Sequence, residues 1–86
     1  MRLQRPSEVA EVEAAGTVYV ANVWSGPIVV LEGSAAVIWQ QAMAGDLETI
    51  PDRVAAITGA DLDLITPEVE GFVRDLVGRG LLNQVS

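Results

Sequence analysis

An α+β fold, with a three-stranded antiparallel sheet followed by three helices, is expected from three features of this 86-residue chain. An apolar, largely β-branched run, Ile28-Val29-Val30-Leu31, closes on Glu32-Gly33 and passes at once into Ser34-Ala35-Ala36-Val37-Ile38-Trp39. β-Branched residues favour the pleated strand, and a change of apolar period marks a strand giving way to a helix. Upstream of that run, clusters bearing Gly and Pro recur at short intervals, which suits tight turns between short strands. Half of the residues are hydrophobic, enough for one small domain to build a core.

Residues 1–7 read as an extended lead-in, because Pro6 disfavours helix in the residue before it. Val9 and Val12, set among Glu8, Glu11 and Glu13, give a weak first strand. Ala14-Ala15-Gly16 is a turn, with Gly16 free to take positive φ. Thr17-Val18-Tyr19-Val20-Ala21-Asn22-Val23 is a stronger second strand. Trp24-Ser25-Gly26-Pro27 is the next turn, and residues 28–32 form the third strand. Ser34 then caps the first helix through its hydroxyl. Val37, Ile38, Ala42 and Met43 form an apolar face around Trp39, and Gly45 stops the helix. Thr49 caps a second helix with Pro51 and Asp52 in its first turn and Val54, Ala55 and Ile57 apolar; Gly59 ends it. Asp61-Leu62-Asp63-Leu64 reads as a loop. Thr66-Pro67-Glu68 opens the third helix as cap, N1 proline and dipole-compatible acid, with Ile65, Val69, Phe72, Val73, Leu76 and Val77 in one broad stripe. No repeat or linker divides the chain, so residues 1–86 read as a single domain.

The absences narrow the chemistry. The chain has no Cys, His or Lys, which removes thiol catalysis, disulfides, the commonest metal ligands, the usual general base near neutral pH, and Schiff-base or P-loop lysines. Asp61 and Asp63 lie in no Gly-containing calcium loop and read as solvated. Ser34 has no base to activate it. No catalytic residue, metal or cofactor is expected. The net charge of −7, with five scattered arginines, opposes binding to phosphate backbones. Met1-Arg2-Leu3-Gln4-Arg5-Pro6 lacks the apolar core of a signal peptide, and the apolar runs are too short to span a bilayer. A cytoplasmic protein without nucleic-acid or membrane partners is the expectation.

Two alternatives bear on the helices. A carrier protein with a phosphopantetheine arm has a serine opening a helix, but that serine follows Asp and precedes Leu, whereas Gly33-Ser34-Ala35 stands here and residues 17–31 favour strand. A winged helix-turn-helix reader of DNA needs basic or amide side chains on its recognition helix; the third helix offers a mixture of Glu68, Glu70, Arg74, Asp75 and Arg79. Trp39, Phe72, Leu76 and Leu81 read as core. Trp24, in a turn, either folds back on the sheet or stands exposed as an anchor for a partner.

The third strand is where a purely structural reading strains. Ile28 and Val30 point to one face, Val29 and Leu31 to the other, and neither face is polar. An open edge there invites another strand, either an extended peptide seated between strand and third helix or a second copy of the chain. The sequence leaves open which face meets a peptide, and it leaves the oligomeric state open as well.

At these residues the chain resembles the PqqD-like family, the peptide-recognition elements of pathways that modify ribosomally made peptides. The resemblance rests on Tyr19-Val20-Ala21-Asn22, on the run from Val30 through Glu32-Gly33-Ser34 to Trp39, on the helix from Thr49-Ile50 to Gly59, and on Val69-Glu70-Gly71-Phe72-Val73-Arg74-Asp75-Leu76 closing on Gly80-Leu81-Leu82. It implies a winged helix-turn-helix-like, non-catalytic peptide chaperone that takes the leader segment of a precursor peptide as an added strand beside strand three, against helix three. Carried onto this chain, the implied peptide-binding residues are Ile28, Val29, Val30, Leu31 and Glu32 on the strand and Val69, Val73, Arg74 and Val77 on the helix, with Arg74 and Arg79 available to acidic leader residues. The Leu-Glu-Gly-Ser-Ala-Ala-x-Ile-Trp run is most similar to the discrete leader-binding proteins of lasso-peptide biosynthesis, which implies a leader peptidase and an ATP-dependent cyclase as partners. The sister implication is a pyrroloquinoline quinone pathway with a radical-SAM enzyme.

Overall fold

The computed structural model describes residues 2–24 and 26–85; Ser25 of the expected turn lies outside them. Five strands and three helices follow in the order β1 (Arg2–Gln4), β2 (Val9–Ala14), β3 (Thr17–Asn22), β4 (Val29–Leu31), α1 (Ser34–Ala44), α2 (Ile50–Thr58), α3 (Leu62–Gly78) and β5 (Asn83–Val85), with a 3-10 turn at Leu47–Thr49 before α2. The strands β2-β3-β4 form the expected antiparallel meander. Its register pairs Val12 with Tyr19, and Tyr19 in turn with Val30. At the β2–β3 turn, Ala15 and Gly16 have φ of 52° and 82°, the two positive values that a two-residue type I′ hairpin requires.

The core lies between one face of this sheet and the helices. Val18, Val20 and Leu31 from the sheet meet Ile38 and Trp39 of α1, Ile50 and Val54 of α2, and Ile65, Val69, Val73 and Leu76 of α3, with Leu81 and Leu82 closing the far side. The molecule is 18 Å across its thinnest dimension, about the depth of one sheet backed by one helical layer. Arg53 ties α1 to α2. Its Nε donates to Gln41 Oε1 at 3.0 Å and its Nη2 to the Gln41 carbonyl at 2.8 Å, while Nη1 bonds Thr49 Oγ1.

Several expectations are corrected. The lead-in is extended, but Arg2–Gln4 also pairs antiparallel with Asn83–Val85 in a second, two-stranded sheet. The pattern gave no sign of this because each strand is three residues long and its partner is at the other end of the sequence. The third strand (β4) is shorter than residues 28–32. Ser34 does not cap α1. The N-cap is Gly33, at φ 59°, a conformation that costs an L-residue more than glycine, and the Ser34 hydroxyl instead donates to Glu68 Oε1 at 3.4 Å. Residues 61–64 are not a loop. Asp61 caps α3 by accepting from the Asp63 amide at 2.9 Å, so the helix starts one turn early and carries Pro67 inside it. Thr66 is therefore no cap, and its hydroxyl donates to the Leu62 carbonyl at 2.7 Å. Thr49 holds the cap position of α2 without a capping bond; its hydroxyl donates to the Asp46 carbonyl.

Candidate functional site

Strand β4 is an edge strand. Its inner side is paired to β3, and among the described residues no strand pairs with its other side. Alternation now assigns its two faces. Val29 is half-buried and Leu31 is 3% exposed, both toward the core, whereas Ile28 and Val30 are 67% and 49% exposed on the opposite face. Glu32 is exposed.

Helix α3 has two usable flanks on either side of its buried stripe of Ile65, Val69, Val73 and Leu76. At 100° per residue, Glu68, Phe72, Asp75 and Arg79 fall in one row, and Thr66, Glu70, Val73 and Val77 in another, about 160° apart around the axis. Two contacts show which row faces β4. At one end, Ser34, three residues beyond β4, bonds Glu68. At the other, Val29 and Arg79 line one hollow of 220 Å³ together with Asn22, Gly26, Pro27 and Leu81. Strand and helix therefore run antiparallel. Arg79 pairs with Asp75 at 3.0 Å with both side chains more than half exposed, so this ion pair contributes little on its own and exchanges readily with another carboxylate.

The opposite row faces elsewhere. Val73, Arg74 and Val77 line a larger groove of 580 Å³ with Leu47, Glu48, Pro51, Thr66, Glu70 and Gln84. The structure thus places Val29, Val30 and Leu31 on β4 with Ile28 and Glu32 flanking it, buries Val69 and Val73 in the core, and sets Arg74 and Val77 on the side of α3 away from that strand, where Val73 also lines the groove. Glu68, Phe72 and Arg79 share the strand-side row. Their sequence signal is the helical spacing of 68, 72, 75 and 79, which runs beside the broader apolar stripe that carries the valines. Trp24 is 85% exposed in the turn that leads to β4, which selects the exposed alternative for that residue.

Nothing in the site points to covalent chemistry. Among the described residues no group of three or more metal-ligating side chains converges, and no helix is long and apolar enough to cross a membrane. Backbone donors and acceptors at an open edge, beside a helix flank of mixed apolar and charged character, are suited to holding extended polypeptide.

Comparison with known proteins gives a concordant picture. Residues 16–82 match the family model described as coenzyme PQQ synthesis protein D (PqqD). Among solved structures, the chain is similar to TbiB1 in complex with the TbiA(beta) leader peptide, with a TM-score of 0.84 and 21% identity over 100% of this chain and 99% of that one. At that identity the likeness is one of fold. No curated protein matches.

Proposed function

The chain belongs to the PqqD family, and from that premise we propose that it is a non-catalytic peptide chaperone: it captures the leader segment of a ribosomally made precursor peptide and presents it to modifying enzymes. The leader adds as a strand to the open edge of β4 and lies against the α3 flank of Glu68 and Phe72 and the Arg79 side chain at its C-terminal end. The observation that carries this reading is the open edge of β4, with Val29 sharing a hollow with Arg79 after α3 and Ser34 beyond the strand bonding Glu68 of α3. Main-chain hydrogen bonds supply affinity, and alternate leader side chains enter the hollow between Val29 and Arg79 or lie beside Ile28 and Val30. The TbiB1 complex, with its bound leader peptide, supports the assignment of ligand class. The partners proposed are a leader peptidase and an ATP-dependent cyclase of lasso-peptide type, supported by the run from Leu31 to Trp39. A radical-SAM partner in a pyrroloquinoline quinone pathway is the alternative.

A second reading places the peptide in the 580 Å³ groove lined by Val73, Arg74 and Val77. It is favoured by the larger volume and by the Arg74 guanidinium, which has neither ion pair nor hydrogen bond among the described residues. One experiment separates the two. A fluorescent leader peptide from the precursor encoded beside this gene is titrated into the wild type, Arg79→Glu and Arg74→Glu, all three checked by thermal melting. Strand addition at β4 predicts micromolar or tighter saturation, weakened several-fold by Arg79→Glu and unchanged by Arg74→Glu. The reverse ranking moves the site to the other flank, and no saturation by the wild type at tens of micromolar removes the leader-binding function.

A further inference from the structure

With the leader at β4, the 580 Å³ groove on the other flank of α3 is left without an occupant. Leu47 of the 3-10 turn, Pro51 of α2, and Val73 and Val77 of α3 give it apolar surface, and Gln84 of β5 also lines it. β5 pairs with β1 on one side, and among the described residues no strand pairs with its other side. Three charged side chains line the groove as well: Glu48, Glu70 and Arg74. Glu48 is already engaged. Glu70 and Arg74 are both exposed and stand one helical turn apart, acid first. That spacing and order ordinarily favour an ion pair. Here the pair is not made. Among the described residues neither side chain has an ion pair or hydrogen bond, whereas Asp75 and Arg79, at the same spacing on the same helix, close to 3.0 Å. The other arginines also have partners: Arg2 has Asp46, Arg5 has Glu11, and Arg53 has Gln41 and Thr49. The groove therefore presents one acid and one base held apart beside apolar walls.

We propose that this groove takes an extended segment of the enzyme that receives the leader, a segment with one acidic and one basic side chain two residues apart among apolar ones. The inference rests on the leader's place at β4. Charge complementarity sets the pattern. Residues four apart on a helix are separated by about 6 Å along its axis. Side chains two apart on an extended chain share a side at a separation of about 6.7 Å. A segment of the stated pattern therefore sets its carboxylate against Arg74 and its cation against Glu70 at once. A segment with two like charges meets one of them with its own sign. Apolar residues between and beside the charges meet Leu47 and Pro51, and the unpaired side of β5 offers main-chain hydrogen bonds. The two charges supply specificity more than affinity. The result is an adaptor helix: α3 holds the leader on one flank and the enzyme segment on the other, separated by about one helix diameter, ~10 Å.

The test follows the amide NMR shifts of Val73, Arg74, Val77 and Gln84 in the isotope-labelled full chain. Two probes are titrated to about 1 mM: acetyl-Val-Glu-Val-Lys-Val-amide and the reversed acetyl-Val-Lys-Val-Glu-Val-amide. One order, fixed by the chain direction that β5 favours, is expected to shift these amides and to bind about threefold or more tighter than the other. The preference shrinks as salt is raised. In the double variant Glu70→Arg/Arg74→Glu, which keeps the net charge and is checked by thermal melting, the preferred order is expected to exchange. At least one of the modifying enzymes encoded beside this gene displaces the bound probe, while the leader peptide shifts the β4 amides and leaves those of the groove in place. The proposal is overturned by any of five results: no shift with either probe, equal binding of both orders, a preference that survives the exchange, groove shifts caused by the leader, or a probe that neither enzyme displaces. A leader that fails to shift β4, with the probe results as expected, would contradict the leader reading and leave the groove assignment supported.

Discussion

The two faces of the β2-β3-β4 sheet are made of similar residues and meet opposite fates. Val18, Val20 and Leu31 are buried in the core, while Tyr19 and Val30, their neighbours along the same strands, and Val12 opposite Tyr19 face outward with no layer above them among the described residues. Apolar character on both sides of a strand ordinarily signals burial on both sides. Here the chain covers one side only, and its remaining apolar surface is split between an open face and an open edge. The difference teaches that apolar alternation alone does not say which face of a strand the chain itself covers.

The largest test of this contrast is a pair of truncations on adjacent residues. Leu31→Ala removes core volume and is expected to cost about 2–5 kcal/mol in urea unfolding. Val30→Ala, one residue away, is expected to cost less than about 0.5 kcal/mol. Comparable losses at both positions would mean that the outer face is covered within the chain. A smaller effect probes the hairpin joining the two paired strands. Ala15 holds φ 52°, a left-handed conformation that strains an alanine and that asparagine tolerates better. Ala15→Asn creates the preferred Asn-Gly pair of a type I′ turn and is expected to add up to about 1 kcal/mol. The smallest effect is at Trp24. Being 85% exposed, it can be changed to Phe with no measurable loss of stability. The remaining fluorescence of the variant, from the fully buried Trp39, is expected to be blue-shifted relative to the wild type. A red-shifted remainder would contradict the assignment of Trp39 to the core.

The strong elements were legible because local chemistry and tertiary packing agree on them. The β-branched runs became β3 and β4, and the Gly45 and Gly59 stops ended α1 and α2 where expected. The sequence failed where two signals competed. Thr66-Pro67 is a good helix start, but Asp61 is a good cap as well, and a start there brings Ile65 into the buried stripe of the helix, so the helix takes the earlier start and tolerates the proline. Gly33 displaced Ser34 as the cap of α1, because a glycine can make the sharp turn out of β4 that a serine resists. The pairing of β1 with β5 depends on chain ends meeting in space, which no local pattern encodes. The same limit applied to the site. The strand was readable as an edge, but the flank of α3 that faces it depends on how the helix is rotated, and the bond from Ser34 to Glu68 and the hollow shared by Val29 and Arg79 mark that rotation.

The central claim, that a peptide strand adds to β4, is tested most directly by amide hydrogen exchange of this chain with and without saturating leader peptide. In the free protein the β4 amides directed away from β3 have no strand partner among the described residues and exchange quickly. On binding, slowed exchange is expected at those amides first, with the Glu68-to-Arg79 flank of α3 protected beside them. Binding that leaves every β4 amide unchanged, with protection gathered instead around Val73, Arg74 and Val77, would contradict it.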